Sequence, residues 1–154
     1  MTTHYSLSLN PRKLRASAKD HAAKLTMLMQ PNDVPVLIYR GMSGISAATA
    51  LSFALDDLGQ ACGMVYVRKY SEDSHGGERE RALPGMCMSQ RFVMVFVDDF
   101  ISTGSTLRKA VEGAAGIADF SEDMFSVCLG DSGGGQCGVK AHTMQAALLQ
   151  AVYF

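Results

Sequence analysis

The chain has 154 residues, 47% of them hydrophobic and 19% charged, a length and balance that suit one globular domain, over 1–154, with a core of its own. Fourteen basic residues stand against fifteen acidic ones. That balance argues against a bulk electrostatic pull towards nucleic acid or an anionic membrane, so any phosphate must be held by a local site. No stretch reaches the roughly 18 apolar residues of a membrane helix, and the opening residues do not read as a secretory signal, so a cytoplasmic location is expected.

In chain order, the first predicted element is a helix over 11–30, where Leu14, Ala18, Ala22, Leu25 and Met29 recur at helical spacing behind Asn10 as N-cap and Pro11 in the first turn. Pro31, Asn32, Asp33 and Pro35 then punctuate the chain, and the apolar run 36–39 reads as a strand. Gly41 and Gly44 bracket a tight turn. A second helix is predicted over 45–58, with Gly59 where a helix C-terminus favours glycine. Residues 63–67 read as a strand, and 68–84, polar and without apolar periodicity, as a long exposed loop. The run RFVMVFV over 91–97 is the strongest strand, nearly continuous in apolar residues, as in strands covered on both faces by helices. A helix over 106–118, a strand over 124–129 and a terminal helix or strand over 141–153 complete the series.

This alternation predicts an α/β domain of three layers, a mainly parallel sheet flanked by helices. Ligands of such sheets bind beyond the carboxyl ends of the strands, where the candidate loops are 40–44, 68–85 and 98–106. The four cysteines, Cys62, Cys87, Cys128 and Cys137, lack the short paired spacing of a zinc site and read as reduced, structural thiols. The string GDSGG at 130–134 matches the surroundings of the nucleophilic serine in trypsin-like proteases. Ser132 is set aside as a catalytic group, because that fold is a pair of β-barrels needing more chain than this. His4, His21 and His142 are isolated and read as surface or satisfied-core residues.

The chemistry is concentrated in VMVFVDDFISTGSTL, residues 93–107. Asp98 and Asp99 end a buried strand, and a small, hydroxyl-rich turn then opens a helix. Backbone N–H groups of residues 103–106 at a helix N-terminus, with the hydroxyls of Ser102, Thr103, Ser105 and Thr106, make a cradle for a phosphate dianion. Gly104 lets the backbone approach that anion closely. Two carboxylates beside such a cradle would repel a second phosphate. They suit hydrogen bonds from sugar hydroxyls, or a metal ion. A phosphate on one side and diol acceptors on the other describe a ribose 5-phosphate site.

The segment resembles the phosphoribosyl pyrophosphate signature of type I phosphoribosyltransferases: a hydrophobic strand, then Asp98, Asp99, Phe100, Ile101, Ser102, Thr103, Gly104 and a closing Thr106. Phe100 is bulkier than the family's usual aliphatic residue. The resemblance implies that Asp98 and Asp99 engage the ribose hydroxyls and that Ser102, Thr103, Gly104, Ser105 and Thr106 wrap the 5-phosphate. Arg40, Gly41, Met42 and Ser43 are similar to the family's short pyrophosphate loop. Residues 67–78 resemble the catalytic loop of the orotate branch through Arg68, Lys69, His75 and Gly76. The further lysine of that loop is absent, Ser71 and Glu72 standing nearby. Ser102, where hypoxanthine and guanine enzymes usually place aspartate, points to the orotate or adenine branch. The resemblance spans about residues 34–130 in arrangement and implies a small or reduced hood built from the N-terminal helix or the C-terminal tail.

It further implies displacement of pyrophosphate at the anomeric carbon by a nucleobase nitrogen, with Mg²⁺ bridging pyrophosphate and ribose oxygens. Arg68, Lys69 and His75 would act as a lid, with Asp98 at the reacting sugar. A homodimer, in which a neighbour's Arg or Lys reaches the site, is also implied. Two alternatives remain open: a non-catalytic regulatory module that keeps the sugar-phosphate site, motivated by the missing lysine, and an enzyme acting on a different phosphorylated sugar.

Overall fold

The structure is a computed structural model that describes residues 10–68, 79–98, 105–130 and 138–149. Helix α1 (Pro11–Leu28) starts where Asn10 accepts a hydrogen bond from the Lys13 N–H at 3.1 Å, with Pro11 in the first turn. Its buried face carries Ala18, His21, Ala22 and Leu25. Ser17 Oγ donates to the Leu129 carbonyl at 2.7 Å, and His21 Nδ1 donates to the Ser17 carbonyl at 2.6 Å. The helix is thereby tied to the residue that follows strand β5 (Phe120–Cys128), and His21 is a satisfied core residue.

Strand β1 (Asp33–Tyr39) begins three residues before its apolar run, because the buried Asp33 carboxylate accepts from Arg91 Nε at 2.6 Å and from the Gln30 N–H at 2.9 Å. Helix α2 (Gly41–Asp57) ends at Gly59, whose φ of 77° permits the closing turn. Gly59 N–H donates to the Asp56 carbonyl at 2.8 Å and Gln60 N–H to the Leu55 carbonyl at 2.9 Å. The remaining elements are β2 (Gly63–Val67), β3 (Arg79–Ala82), β4 (Arg91–Asp98), α3 (Ser105–Ala114), β6 (Gly138–Thr143) and α4 (Met144–Leu148).

The six strands lie in the order β3-β2-β1-β4-β5-β6. β2, β1, β4 and β5 are parallel; β3 and β6 pair antiparallel at the two edges. Side chains alternate between two cores, as strand periodicity requires. Leu37, Val93, Val95, Val97, Phe125 and Val127 pack with α1 and α2 on one face. Val36, Ile38, Val65, Met94, Phe96 and Met124 pack with α3 and α4 on the other. The expected three-layer fold is therefore present.

Several boundaries differ from those predicted. The segment 68–84 is not loop throughout, since β3 lies within it and hydrogen-bonds to the edge of β2. β5 starts at Phe120, before its apolar run, because Ser121, Glu122 and Asp123 sit in its more exposed first half. α3 closes at Ala114 rather than 118. Within 138–149 the chain supplies both a strand and a short helix.

Two contacts lead to predictions. A Cβ built on Gly113 of α3 would lie 2.6 Å from Val67 Cγ1, so this glycine lets α3 approach β2. Gly113→Ala should destabilise the protein by about 1–3 kcal/mol through overpacking, less the helix propensity gained. In urea denaturation the Val67→Ala background should remove most of that loss. On that same face of the sheet, Ser126 Oγ and His142 Nε2 are 2.7 Å apart. Burial, then the neighbouring Lys140 charge, holds the His142 imidazole below its ordinary value of 6.5. The unfolded chain therefore binds this proton more readily. The stabilisation is complete above that value and is lost as pH falls through the window below it. The urea midpoint should drop on acidification from neutral pH, and His142→Gln should reduce the drop.

Candidate functional site

The carboxyl ends of the parallel strands all face one edge of the sheet, and the site is built where the chain departs from it in two directions. Ile38 of β1 is in register with Phe96 of β4, so Arg40 and Asp98 leave neighbouring strands side by side. From β1 the chain enters α2 on one face of the sheet and leads to β2. From β4 it enters α3 on the other face and leads to β5. Such a reversal opens a crevice between the two strands.

Gly41, with φ of 72°, turns the chain straight from β1 into α2. The expected turn at 40–44 is therefore mostly helix, and α2 starts four residues earlier than predicted. Its N-cap residue, Arg40, makes no side-chain capping bond, which leaves the first-turn N–H groups directed at the crevice without a side-chain acceptor from the cap. A Cβ on Gly44 would meet Tyr39 Cβ at 3.4 Å and the Val97 carbonyl at 3.8 Å, so the first turn lies across the ends of β1 and β4. This brings Ser43 to Asp98: the serine hydroxyl donates to Oδ1 at 3.4 Å. Asp98 is buried, and its backbone carbonyl accepts from the Leu129 N–H at 3.0 Å.

The Arg40 side chain is also buried. Its Nη2 donates to the Arg68 carbonyl at 3.1 Å, joining the end of β1 to the end of β2, while Nε has no hydrogen-bond partner among the described residues. Below this strap the rings of Tyr39 and Tyr66, in register on β1 and β2, lie 5.5 Å apart. The strap and the tyrosine pair were not found by sequence reasoning, because which strand lies beside which is a tertiary fact.

Arg40, Gly41, Met42, Ser43, Arg68 and Asp98 thus share one edge of the sheet, with Met42 directed to solvent. Ser105 and Thr106 stand exposed in the first turn of α3, anchored by the buried Leu107. Lys69, His75, Asp99, Ser102, Thr103 and Gly104 lie outside the described residues, as do Ser132 and Cys137. A guanidinium, a carboxylate and the N-terminus of α2 at one crevice can hold an anionic ligand that also carries hydroxyl donors.

The architecture is the type I phosphoribosyltransferase fold. Among solved structures, the chain is similar to an adenine phosphoribosyltransferase from Trypanosoma brucei, solved with AMP, pyrophosphate and ribose-5-phosphate. The TM-score is 0.50 and the identity 18%, over 79% of this chain and 54% of that one. A hypoxanthine phosphoribosyltransferase from Trypanosoma cruzi aligns with a TM-score of 0.48 at 18% identity, over 76% of this chain and 66% of the other. The chain thus spans less than two thirds of the length of either, and the likeness is one of fold. No protein-family model and no curated protein matches the sequence.

A buried guanidinium with an unpartnered Nε carries a desolvation cost that a substitution to an apolar side chain of similar length would remove. Arg40→Met should leave the urea midpoint unchanged or raise stability by about 1 kcal/mol. The same variant should bind inorganic pyrophosphate about tenfold more weakly by calorimetry, the loss of one charge-assisted contact.

Proposed function

We propose that the protein transfers a 5-phosphoribosyl group from phosphoribosyl pyrophosphate to a nitrogenous base of the orotate or adenine kind, releasing pyrophosphate. The observation that carries this reading is the meeting of Asp98 with Ser43 at the crevice, where the end of β4 touches the first turn of α2. A carboxylate held there can accept from ribose hydroxyls while the uncapped N–H groups of α2 and the Arg40 guanidinium face the pyrophosphate. The first turn of α3, with Ser105 and Thr106, is assigned the 5-phosphate together with Ser102, Thr103 and Gly104. Asp99 is assigned the second ribose hydroxyl.

Displacement at the anomeric carbon needs no covalent help from the chain. Its residues position the sugar and stabilise the negative charge that builds on the leaving pyrophosphate. Arg68, at the end of β2 beside Arg40, is placed to take part in that stabilisation, and Lys69 and His75 follow it as the remaining lid residues. The donor set also suits Mg²⁺. Asp98 offers hard carboxylate oxygens at the crevice. A metal held mainly through substrate oxygens fits that arrangement, with Asp98 and Asp99 as the nearby carboxylates, and Mg²⁺ would there neutralise pyrophosphate charge.

The test supplies the protein with Mg²⁺, phosphoribosyl pyrophosphate and each of orotate, uracil, adenine, guanine, hypoxanthine, xanthine and nicotinamide, and follows pyrophosphate release. One base should support turnover, and Asp98→Asn combined with Asp99→Asn should reduce it by at least about a hundredfold, the scale of losing positioned transition-state contacts. Absence of turnover with every base, while calorimetry still detects phosphoribosyl pyrophosphate, would replace the transferase with a regulatory module of the same fold.

A further inference from the structure

At the end of the sheet opposite the crevice, the chain passes from β3 to β4 through LPGMCMSQ, residues 83–90. The last four of these form a closed turn. Gln90 N–H donates to the Cys87 carbonyl at 3.0 Å, and Cys87 N–H donates to the Gln90 side-chain oxygen at 2.9 Å. The following residue is fixed to the sheet, since Arg91 N–H donates to the Asn32 carbonyl at 3.1 Å and its side chain holds Asp33. Both backbone groups of Cys87 are thus tied down, on an anchored base.

The side chains that this turn presents to water are not those that turns favour. Gly, Asn, Asp, Ser and Pro are the usual choices, and free cysteine and methionine are among the residue types most often buried. Met94, Met124 and Cys128 follow that rule in the core. Here Met88 is 107% exposed, Met86 is 42% exposed, and the free thiol of Cys87 between them is exposed as well. Met27 and Met42 are also exposed, but neither has a cysteine beside it. Three successive sulfur side chains in water, on a hydrogen-bonded turn, break a local rule without a gain in packing, and such departures mark function.

We propose that residues 86–88 bind a soft monovalent metal ion, Cu(I), with the Cys87 thiolate and the Met86 and Met88 thioethers as donors. Thiolate and thioether sulfurs prefer soft ions, whereas Zn²⁺ takes several Cys, His or carboxylate ligands and Mg²⁺ takes oxygen. From Leu83 to Gln90 there is one cysteine, no histidine and no charged residue, so the turn offers the harder ions too few donors. Successive Cα atoms stand about 3.8 Å apart, and an unbranched methionine has three rotatable bonds. Both thioethers can therefore swing to an ion seated on the central sulfur. The short donor has its backbone fixed, and the two long donors adapt. No electron transfer is involved: the ion arrives as Cu(I), the Cys87 thiol releases its proton to solvent, and sulfur lone pairs form the bonds. The ion lies beyond the amino end of β4 and the crevice beyond its carboxyl end, so the inference does not rest on the sugar-phosphate reading.

Anaerobic titration of the full chain with Cu(I), in competition with the colorimetric chelator bicinchoninate, tests the site. The wild-type protein should hold one ion against the chelator, and Cys87→Ser should abolish that binding. Met86→Leu combined with Met88→Leu keeps every thiol and should weaken it about a hundredfold, roughly tenfold for each lost donor. Circular dichroism and thermal melting of both variants should match the wild type, because all three side chains are exposed. Retention of the ion by Cys87→Ser would place it on another cysteine, and full affinity in the double leucine variant would reduce the site to a single thiol. Either result, or a wild-type protein that yields all its Cu(I) to the chelator, would overturn the proposal.

Discussion

The parallel pairing of β1 with β4 is the constraint on which the rest of the structure depends. These two strands occupy the middle of the sheet, and their register runs from Asp33 with Arg91 to Ile38 with Phe96. At one end it closes an ion pair between the buried Asp33 and the partly exposed Arg91 at 2.6 Å. At the other it sets Arg40 beside Asp98. A slip of one residue would turn both apolar faces over and separate the charged groups at both ends. Stability and the candidate site are therefore specified by the same ladder.

The site end of that ladder is built against stability. Arg40 is buried with one nitrogen unpartnered, Asp98 is buried and accepts a long bond from Ser43, and Gly41 holds a left-handed turn. Each feature has a cost in isolation. Departures of this kind are what a ligand site shows, in keeping with the proposed reading of the crevice. The opposite end, with Asp33 satisfied by Arg91 and Gln30, shows how the same chain treats a buried charge that serves structure alone.

Much of the fold was legible because its signals are local. Asn10 and Pro11 start α1 by capping, Gly59 ends α2 by its φ, and 91–97 is apolar because both of its faces are covered by helices. The strand β3 was missed, since its residues, RERA, have no apolar face and take their strand form from hydrogen bonds to β2. The first half of β5 likewise has no apolar run to show it, and α2 begins ahead of its apolar periodicity because Gly41 is the hinge at which the helix starts. In the candidate site, the residue types around Asp98 pointed to a sugar phosphate. The Arg40 to Arg68 strap and the bond from Ser43 to Asp98 needed the strand order before they could be found.

By itself the sequence determined the class of fold, through the alternation of helical and strand periodicity, and the residue types of the segment on which the proposed function rests, the run from Asp98 to Thr106. Both are properties of neighbours along the chain, within reach of capping, φ preference and side-chain period. Tertiary structure alone decided that β1 and β4 are adjacent, that α2 and α3 depart to opposite faces, and that Arg40 reaches Arg68 and Ser43 reaches Asp98. The contacts that record those facts join residues 28 to 58 positions apart, and contacts at such separations are chosen by the packing of the whole sheet, which no local pattern records.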